Sequence, residues 1–388
     1  MSDLDSLKKW ATQRQCEYVD AVSETGSCRA AARKLGVHHS MVARTLNDLR
    51  LRAAQSGYSP EHDMVHPVPD GFKVKGVSTY YDADGKPAGQ WVKSSADHER
   101  QEEIFRAWVE TLSEDVKGNA KPVKAPKHCD ADLLAVFPIG DPHFGLRAWW
   151  QDAGGDFDLG IAEDLTFSAV DRLVASAPAA KTALLLNLGD MFHADNQKNQ
   201  SASGHQLDVD GRWSKVLQVG LRTMIHCIKR MLEKHERVIV RINRGNHDGH
   251  SSYALSLMLS CYFDREPRVE VDISPQPFWY FQFGKVLIGS THGDTVKGKD
   301  MLAVMAADEP QAWGSTKHRY CYLGHVHHHD AKEYAGGVVE YFRTLAARDA
   351  WHTAQGYRAG RDMCLIVHHK EFGEIERHRV DIGRLTGA

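Results

Sequence analysis

The chain has 388 residues, 42% hydrophobic and 26% charged, with a formal net charge of −3; this composition is ordinary for a soluble protein, and the net charge excludes a uniformly basic nucleic-acid coat while leaving local basic patches open. Seven cysteines (Cys16, Cys28, Cys129, Cys227, Cys261, Cys321 and Cys364) are scattered without a C-x-x-C pair, which excludes a zinc ribbon and a disulfide framework. The opening Met-Ser-Asp-Leu-Asp is acidic and no apolar run approaches the roughly 20 residues of a membrane span, so neither a secretory signal nor a membrane partner is expected, and the reducing cytoplasm is the expected compartment.

At roughly 100–200 residues per domain the length allows two or three domains, and three regions are visible. Residues 1–59 read as a small all-α domain. Apolar residues recur at helical spacing from Cys16 to Val22 and from Arg29 to Leu51, and Gly26 and Gly36 divide the pattern into three short helices. Residues 60–129 read as a connector. Phe72–Tyr81 alternates like a strand, Asp82–Gly85 is a turn signal, and Gln90–Lys93 returns as a second strand. A helix is expected over Ala96–Glu114, with Ile104, Trp108 and Leu112 on one stripe. Lys117–Lys127 is polar and contains proline, as a linker does.

Residues 130–388 read as an α/β domain. Apolar runs over Leu133–Phe137, Ala183–Leu188, Val238–Ile242, Val286–Gly289 and Tyr320–Leu323 each precede a polar cluster. Helical segments such as Ile161–Ala175 and Trp213–Lys234 intervene, and a strand-like Val338–Phe342 leads into a polar turn over Arg343–Trp351. Open α/β sheets place their sites at the C-terminal ends of buried strands in this way.

The clusters are Asp141-Pro-His143, Gly189-Asp190-Met-Phe-His193, Gly245-Asn246-His247-Asp248, His292-Gly293-Asp294 and Gly324-His325-Val-His327. Each alone is weak, because 23 histidines make a chance H-x-H easy. Five in series, each after a strand-like run, point to a metal centre. Imidazole, carboxylate and amide oxygen together suit Mn²⁺, Fe, Zn²⁺ or Ni²⁺ better than Ca²⁺. His328 and His329 extend the last run. Arg147, Lys198, Arg244, Lys297 and Lys299 lie beside the motifs as candidate phosphate contacts.

These five motifs resemble those of the calcineurin-like metallophosphoesterase superfamily, over about residues 132–330. The resemblance implies a four-layer α/β/β/α sandwich with both metals at the strand ends, to which the small all-α domain is added at the N-terminus. It implies one ion held by Asp141, His143, Asp190 and His327, and a second by Asp190, Asn246, His292 and His325, with Asp190 bridging and Mn²⁺ the expected metal. Such a pair of ions clamps a phosphate and holds a hydroxide at neutral pH for in-line attack on phosphorus. The resemblance assigns His247 to the leaving group. Asp248 is expected to hold the His247 ring, and His193 to supply a further contact near the leaving group.

Ser27–Val37 followed by His38–Leu49 resembles a helix-turn-helix, with small alanines at the helix contact and Gly36 at the turn. His38 stands where many relatives carry a capping Ser or Thr. Arg29–Arg52 holds six basic residues against one acid, net +5, the balance that phosphate contact requires. Arg33, His39, Ser40, Arg44 and Asn47 are the candidates to face DNA.

The expected function is a metal-dependent DNA phosphodiesterase, a nuclease. The motifs resemble most the bacterial double-strand-break-repair exonuclease branch, and the combination resembles phage-encoded proteins. That branch implies an ATPase partner, and self-association is a further expectation. The alternative enzyme is a phosphodiesterase of a small molecule or cyclic nucleotide, its N-terminal helices serving assembly or regulation. A non-enzymatic DNA-binding regulator is the third reading.

Overall fold

The computed structural model describes residues 3–56, 58–59, 64–65, 72–81, 87–96 and 117–386. The chain divides into two compact units, Met1–Trp108 and Val109–Ala388.

The first unit begins with a short helix α1 (Asp3–Ser6) and a 3-10 turn (Leu7–Trp10), both outside the predicted elements. Three helices follow: α2 (Gln13–Thr25), α3 (Cys28–Leu35) and α4 (His39–Gln55). Each start has a local cause. Thr12 and Gln15 form a reciprocal capping box on α2, and Ser27 caps α3. His38 caps α4 through its own ring, which accepts from the Ser40 N–H at 3.4 Å, so an imidazole does the work of the expected hydroxyl. Gly36 ends α3 at φ 66°, a left-handed position that suits glycine. Val42, Leu46 and Leu49 of α4 bury one stripe against Tyr18, Val19 and Val22 of α2 and Ala31 and Ala32 of α3.

Two short strands, β1 (Tyr58–Ser59) and β2 (Met64–Val65), pair antiparallel. The predicted hairpin is present as β3 (Phe72–Tyr81) and β4 (Pro87–Ala96). The turn signal Asp82–Gly85 lies outside the described residues. So does the helix expected over Ala96–Glu114, apart from Ala96, which ends β4.

The second unit is mixed α/β. Its elements are β5 (Asp130–Ile139), α5 (Trp150–Ala153), α6 (Leu159–Ser176), β6 (Ala180–Asn187), α7 (Trp213–Leu232), β7 (Arg237–Ile242), α8 (Gly249–Tyr262), β8 (Val269–Asp272), β9 (Trp279–Phe283) and β10 (Val286–Thr291). Then come α9 (Met301–Asp308), α10 (Pro310–Ser315), β11 (His318–Leu323), β12 (Asp330–Tyr334), β13 (Gly337–Tyr341), α11 (Ala350–Ala354), β14 (Asp362–His369), β15 (Gly373–Asp381) and α12 (Ile382–Thr386).

One sheet has the order β15-β14-β5-β6-β7-β8, with β5 to β8 parallel. The other has the order β12-β13-β11-β10-β9, with β10, β11 and β13 parallel. Strands β8, β9, β12, β14 and β15 lie outside the predicted runs; all but β14 are edge strands or lie on partly exposed surface, where the apolar signal is weak.

Side chains alternate across a strand, so each central strand feeds two cores. Leu134 and Val136 of β5 and Leu184 and Leu186 of β6 meet Val286, Ile288 and Tyr322 of the other sheet. Their neighbours Ala135, Phe137, Ala183 and Leu185 pack instead on Leu173 of α6, Ile228 of α7 and Leu259 of α8. On the other sheet, Leu287, Cys321 and Leu323 pack on Met301, Leu302 and Met305. Full burial of each Leu, Ile, Val, Phe or Met among them contributes about 1.5–3 kcal/mol.

Lys117–Lys127 has no helix or strand, yet it is bound to the second unit. The N–H groups of Gly118 and Ala120 donate to the carbonyls of Cys261 and Tyr262, and Arg268 donates to the Val123 carbonyl. No helix among the described residues is long and apolar enough to cross a membrane.

Candidate metal centre

Strands β5, β6 and β7 end in register, Ile139 beside Asn187 and Asn187 beside Ile242. Strands β10 and β11 likewise end together at Thr291 and Leu323. Each C-terminal end runs directly into one of the five clusters. Parallel pairing therefore gathers Asp141, His143, Asp190, Asn246, His292, His325 and His327, which are spread over 187 positions of sequence, into one place.

Their backbone is unusual. Asp141, His143, Asp190, His325 and His327 all have positive φ, between 43° and 70°. Asn199 is the one other such non-glycine among the described residues. This left-handed region is unfavourable for L-residues with a side chain, and strain of this kind gathers at functional sites. Each turn folds the chain back over the strand end so that its side chain points inward.

Three overlapping groups have donor atoms close enough to share an ion: Asp141 with His143 and His327, Asp141 with Asp190 and His292, and His143 with His193 and His247. The Nε2 atoms of His143 and His327 are 3.1 Å apart. Asp190 Oδ2 is 3.2 Å from His292 Nε2 and 3.9 Å from His143 Nε2. Asn246 Oδ1 faces both His292 Nε2 at 2.9 Å and His325 Nδ1 at 3.1 Å. The ring of His292 is oriented from behind, its Nδ1 donating to the Leu188 carbonyl at 2.9 Å. That bond holds the ring with Nε2 turned inward, the nitrogen that a ligating histidine would offer to an ion on losing its proton.

The donor set fits transition-metal ions. Two imidazole nitrogens 3.1 Å apart can both reach one ion at about 2.0–2.1 Å. The glycines of the motifs are explained by the same crowding. A Cβ on Gly245 would stand 1.9 Å from Asp190 Oδ1, and one on Gly189, at φ 101°, would stand 2.4 Å from His292 Nδ1.

Burial and mutual charge set the protonation of the cluster. Burial pushes the Asp190 carboxyl up, but His292 and His247 outweigh it and hold the group down at about 2. Burial opposes charge on His292, yet Asp190 and Asp141 raise it to about 10. Burial, with His247 beside it, holds His143 well below the usual histidine range. His193 is lowered to about 3, chiefly by burial, so its ring is neutral.

His247 lies at the cavity wall with its Nδ1 donating to the His193 carbonyl at 2.8 Å. The expected partner, Asp248, is engaged elsewhere. Its carboxylate is fully buried and accepts the N–H groups of Phe192 at 3.0 Å and Gly245 at 2.9 Å. It ties the second and third motif loops together, and the backbone carbonyl of His193 orients the His247 ring in its place. His193 Nδ1 sits 3.3 Å from His143 Nδ1, behind that ring. His328 and His329 turn away from the cluster, to the Val326 carbonyl and to Glu340.

A cavity of about 570 Å³ opens over the cluster. Asp190, His193, Asn246, His325 and His327 form its floor, with His247 at the side. Its walls bring in Ser201, Ser203, His205, Asp349, Trp351, His352 and Tyr357, none of which the motifs indicate. The sequence signal for this wall is the polar turn over Arg343–Trp351; within it Asp349 caps a helix, its side chain accepting the His352 N–H at 2.8 Å. Arg147, Lys198, Arg244, Lys297 and Lys299 are exposed and do not line this cavity.

In the first unit Arg33, His39, Ser40, Arg44 and Asn47 are all exposed. Ser40, Arg44 and Asn47 fall on one stripe of α4, opposite the buried Val42, Leu46 and Leu49. The Ser40 hydroxyl is taken by His38 Nδ1 at 2.7 Å. Of the basic residues in the Arg29–Arg52 stretch, Lys34 pairs with Glu24 and Arg52 donates to Gln15.

No family model and no curated protein matches the chain. Among solved structures it is similar to a predicted phosphoesterase from Streptococcus pneumoniae, at 11% identity over 65% of this chain and 99% of that one, TM-score 0.28. It is similar to an archaeal phosphodiesterase at 12% identity, over 64% and 99%, TM-score 0.32. It is also similar to Vps29 of Entamoeba histolytica complexed with zinc, at 14% identity, over 64% and 98%, TM-score 0.27.

Proposed function

We propose that the chain is a two-metal phosphodiesterase of the calcineurin-like metallophosphoesterase type, a four-layer α/β/β/α sandwich, acting on DNA. The observation that carries the reading is the position of Asp190. One of its oxygens lies 3.9 Å from His143 Nε2 and 3.2 Å from His292 Nε2, one histidine from each proposed set of ligands. Asp141, His143, Asp190 and His327 would hold one ion, and Asp190, Asn246, His292 and His325 the other. Two divalent ions so placed supply Lewis-acid polarisation of a phosphodiester and ready deprotonation of water.

The rest is the work of the chain's own groups. His247 keeps Nδ1–H on the His193 carbonyl and so presents Nε2 at the cavity wall, where the doubly protonated ring would give its Nε2 proton to the leaving oxygen. Asp248 holds the loops that carry Phe192 and Gly245 and acts through position alone. His193, neutral and buried, backs His143 and lends its carbonyl to His247. The three-helix unit is the candidate DNA contact, a helix-turn-helix with Arg29, Arg33, Arg44, Arg50 and Asn47 exposed.

A second reading, hydrolysis of a small diester or cyclic nucleotide, draws on the cavity's modest volume and on the lack of Lys or Arg lining it among the described residues. The two separate in one assay of the full chain with Mn²⁺ on plasmid DNA and on thymidine 5′-(p-nitrophenyl phosphate). Cleavage of both supports the nuclease, and cleavage of the ester alone supports the second reading. Cleavage of neither overturns both.

A further inference from the structure

We propose that Trp351, with Tyr357 and His352, forms a stacking platform for the nucleobase adjoining the scissile phosphate. The inference rests on the phosphodiesterase reading and names the part of the substrate that the cavity wall recognises.

The rings form a series that leads out of the metal centre. His352 lies face to face with His327, centroids 5.1 Å apart and planes at 23°. Trp351 stands edge-on to His352 at 5.0 Å, and Tyr357 lies 6.0 Å from Trp351 at 32°. All three line the cavity that the proposed ligands floor. A phosphate at the floor therefore places its ester substituent alongside these rings.

The platform is held while its faces stay open. Asp349 caps α11 and faces His352 Nδ1 at 2.7 Å. Arg348 and Arg358 both donate to the Tyr357 carbonyl, at 3.2 Å and 2.7 Å, which fixes the loop that carries Tyr357. Trp351 nonetheless remains 59% exposed and Tyr357 40% exposed. Large aromatics left open at the mouth of a polar cavity are suited to a flat, partly polar ring.

Charge favours a nucleotide over another aromatic group. Arg348, Arg358 and Arg361, against the single acid Asp381, line a second cavity of about 350 Å³ that shares the segment following the fifth motif. Aromatic rings beside a cationic groove are how single-stranded nucleic acid is held without regard to sequence, since every base has a π-face.

The test compares Trp351→Ala and Trp351→Phe with the unaltered full chain in Mn²⁺. Two substrates share one leaving group: thymidine 5′-(p-nitrophenyl phosphate), which carries a base, and methyl p-nitrophenyl phosphate, which does not. Trp351→Ala is expected to raise KM for the thymidine ester about 5- to 150-fold, the usual worth of one stacked base. KM and kcat for the methyl ester should not move, and Trp351→Phe should restore most of the loss. Binding of thymidine 5′-monophosphate is read in parallel by tryptophan fluorescence, where the quench should vanish in Trp351→Phe. Equal effects on the two esters, or no effect on either, overturn the platform. Hydrolysis of neither ester with the Trp351-dependent quench intact overturns the phosphodiesterase reading and leaves the platform standing. Hydrolysis of neither with no quench overturns both.

Discussion

The Nε2 atoms of His143 and His327 lie 3.1 Å apart although the residues are separated by 184 positions. Each ring is braced: His143 is backed by His193, and His327 is stacked on His352. Two nitrogens held at this separation can share one proton or one metal ion, and the adjacent carboxylates of Asp141 and Asp190 favour the ion of higher charge.

Asp190→Ala is expected to abolish both metal sites, because Asp190 Oδ2 is the atom that approaches ligands from each set. Metal analysis of the purified, folded variant measures this. Retention of both equivalents would reject Asp190 as the bridge.

Gly245→Ala should weaken metal binding without removing any ligand. The added Cβ would meet Asp190 Oδ1 at 1.9 Å, so the carboxylate must move. Circular dichroism confirms the fold, and a metal titration should show loss of affinity. An unchanged titration would mean that the third loop moves freely.

His247→Ala should retain metal and lose about 10²–10⁴-fold in rate, the usual worth of a positioned acid–base group. The loss should be smallest for p-nitrophenolate, which leaves without help. Asp248→Asn should act differently, since Asp248 accepts two backbone N–H groups rather than the His247 ring. It is expected to lower thermal stability, whereas His247→Ala leaves stability unchanged. The same rate loss on every ester for His247→Ala would argue against proton donation.

Acid should destabilise the second unit through two buried histidines remote from the metal centre. His235 donates Nδ1–H to the Ala180 carbonyl, and His368 meets the Tyr322 hydroxyl at 2.8 Å. Burial holds His235 at about 4 and His368 at about 3, below the ordinary 6.5. Below pH 6.5 the unfolded chain takes up protons that the folded rings refuse. Stability is therefore full above pH 6.5 and falls toward pH 4, by at most about 1.4 kcal/mol per pH unit per ring. Urea midpoints from pH 7 to pH 5 should fall less steeply in His235→Asn and His368→Asn. Parallel slopes would remove these rings as the cause.

Removal of residues 1–116 should leave a folded unit that still hydrolyses a small diester, since Gly118, Ala120 and Val123 are bound to that unit and remain. A cut after Lys127 should instead cost stability. In the full chain, Arg33→Ala with Arg44→Ala should weaken DNA binding and flatten its salt dependence by up to about two phosphate contacts. Identical slopes and affinities would move the N-terminal helices to assembly or regulation.

Much of the second unit was legible in the sequence because its signals are local. Apolar runs of strand length mark β5, β6, β7, β10 and β11, and the residues just beyond each run are the ones gathered at the centre. Gly189 and Gly245 stand in the motifs because a ligand side chain approaches their backbone too closely for a Cβ. What the sequence could not decide are pairings between distant segments. Asp248 follows His247 directly, yet its carboxylate is turned to Phe192 and Gly245, because the buried N–H groups of two loops need an acceptor. His328 and His329 follow two inward-facing histidines, yet turn to Val326 and Glu340. Asp349, Trp351 and His352 reach the cavity because β13 lies beside β11 and the chain leaving it crosses the strand ends. Strand order and the closure of that crossing depend on packing across the whole unit, and no local propensity encodes them.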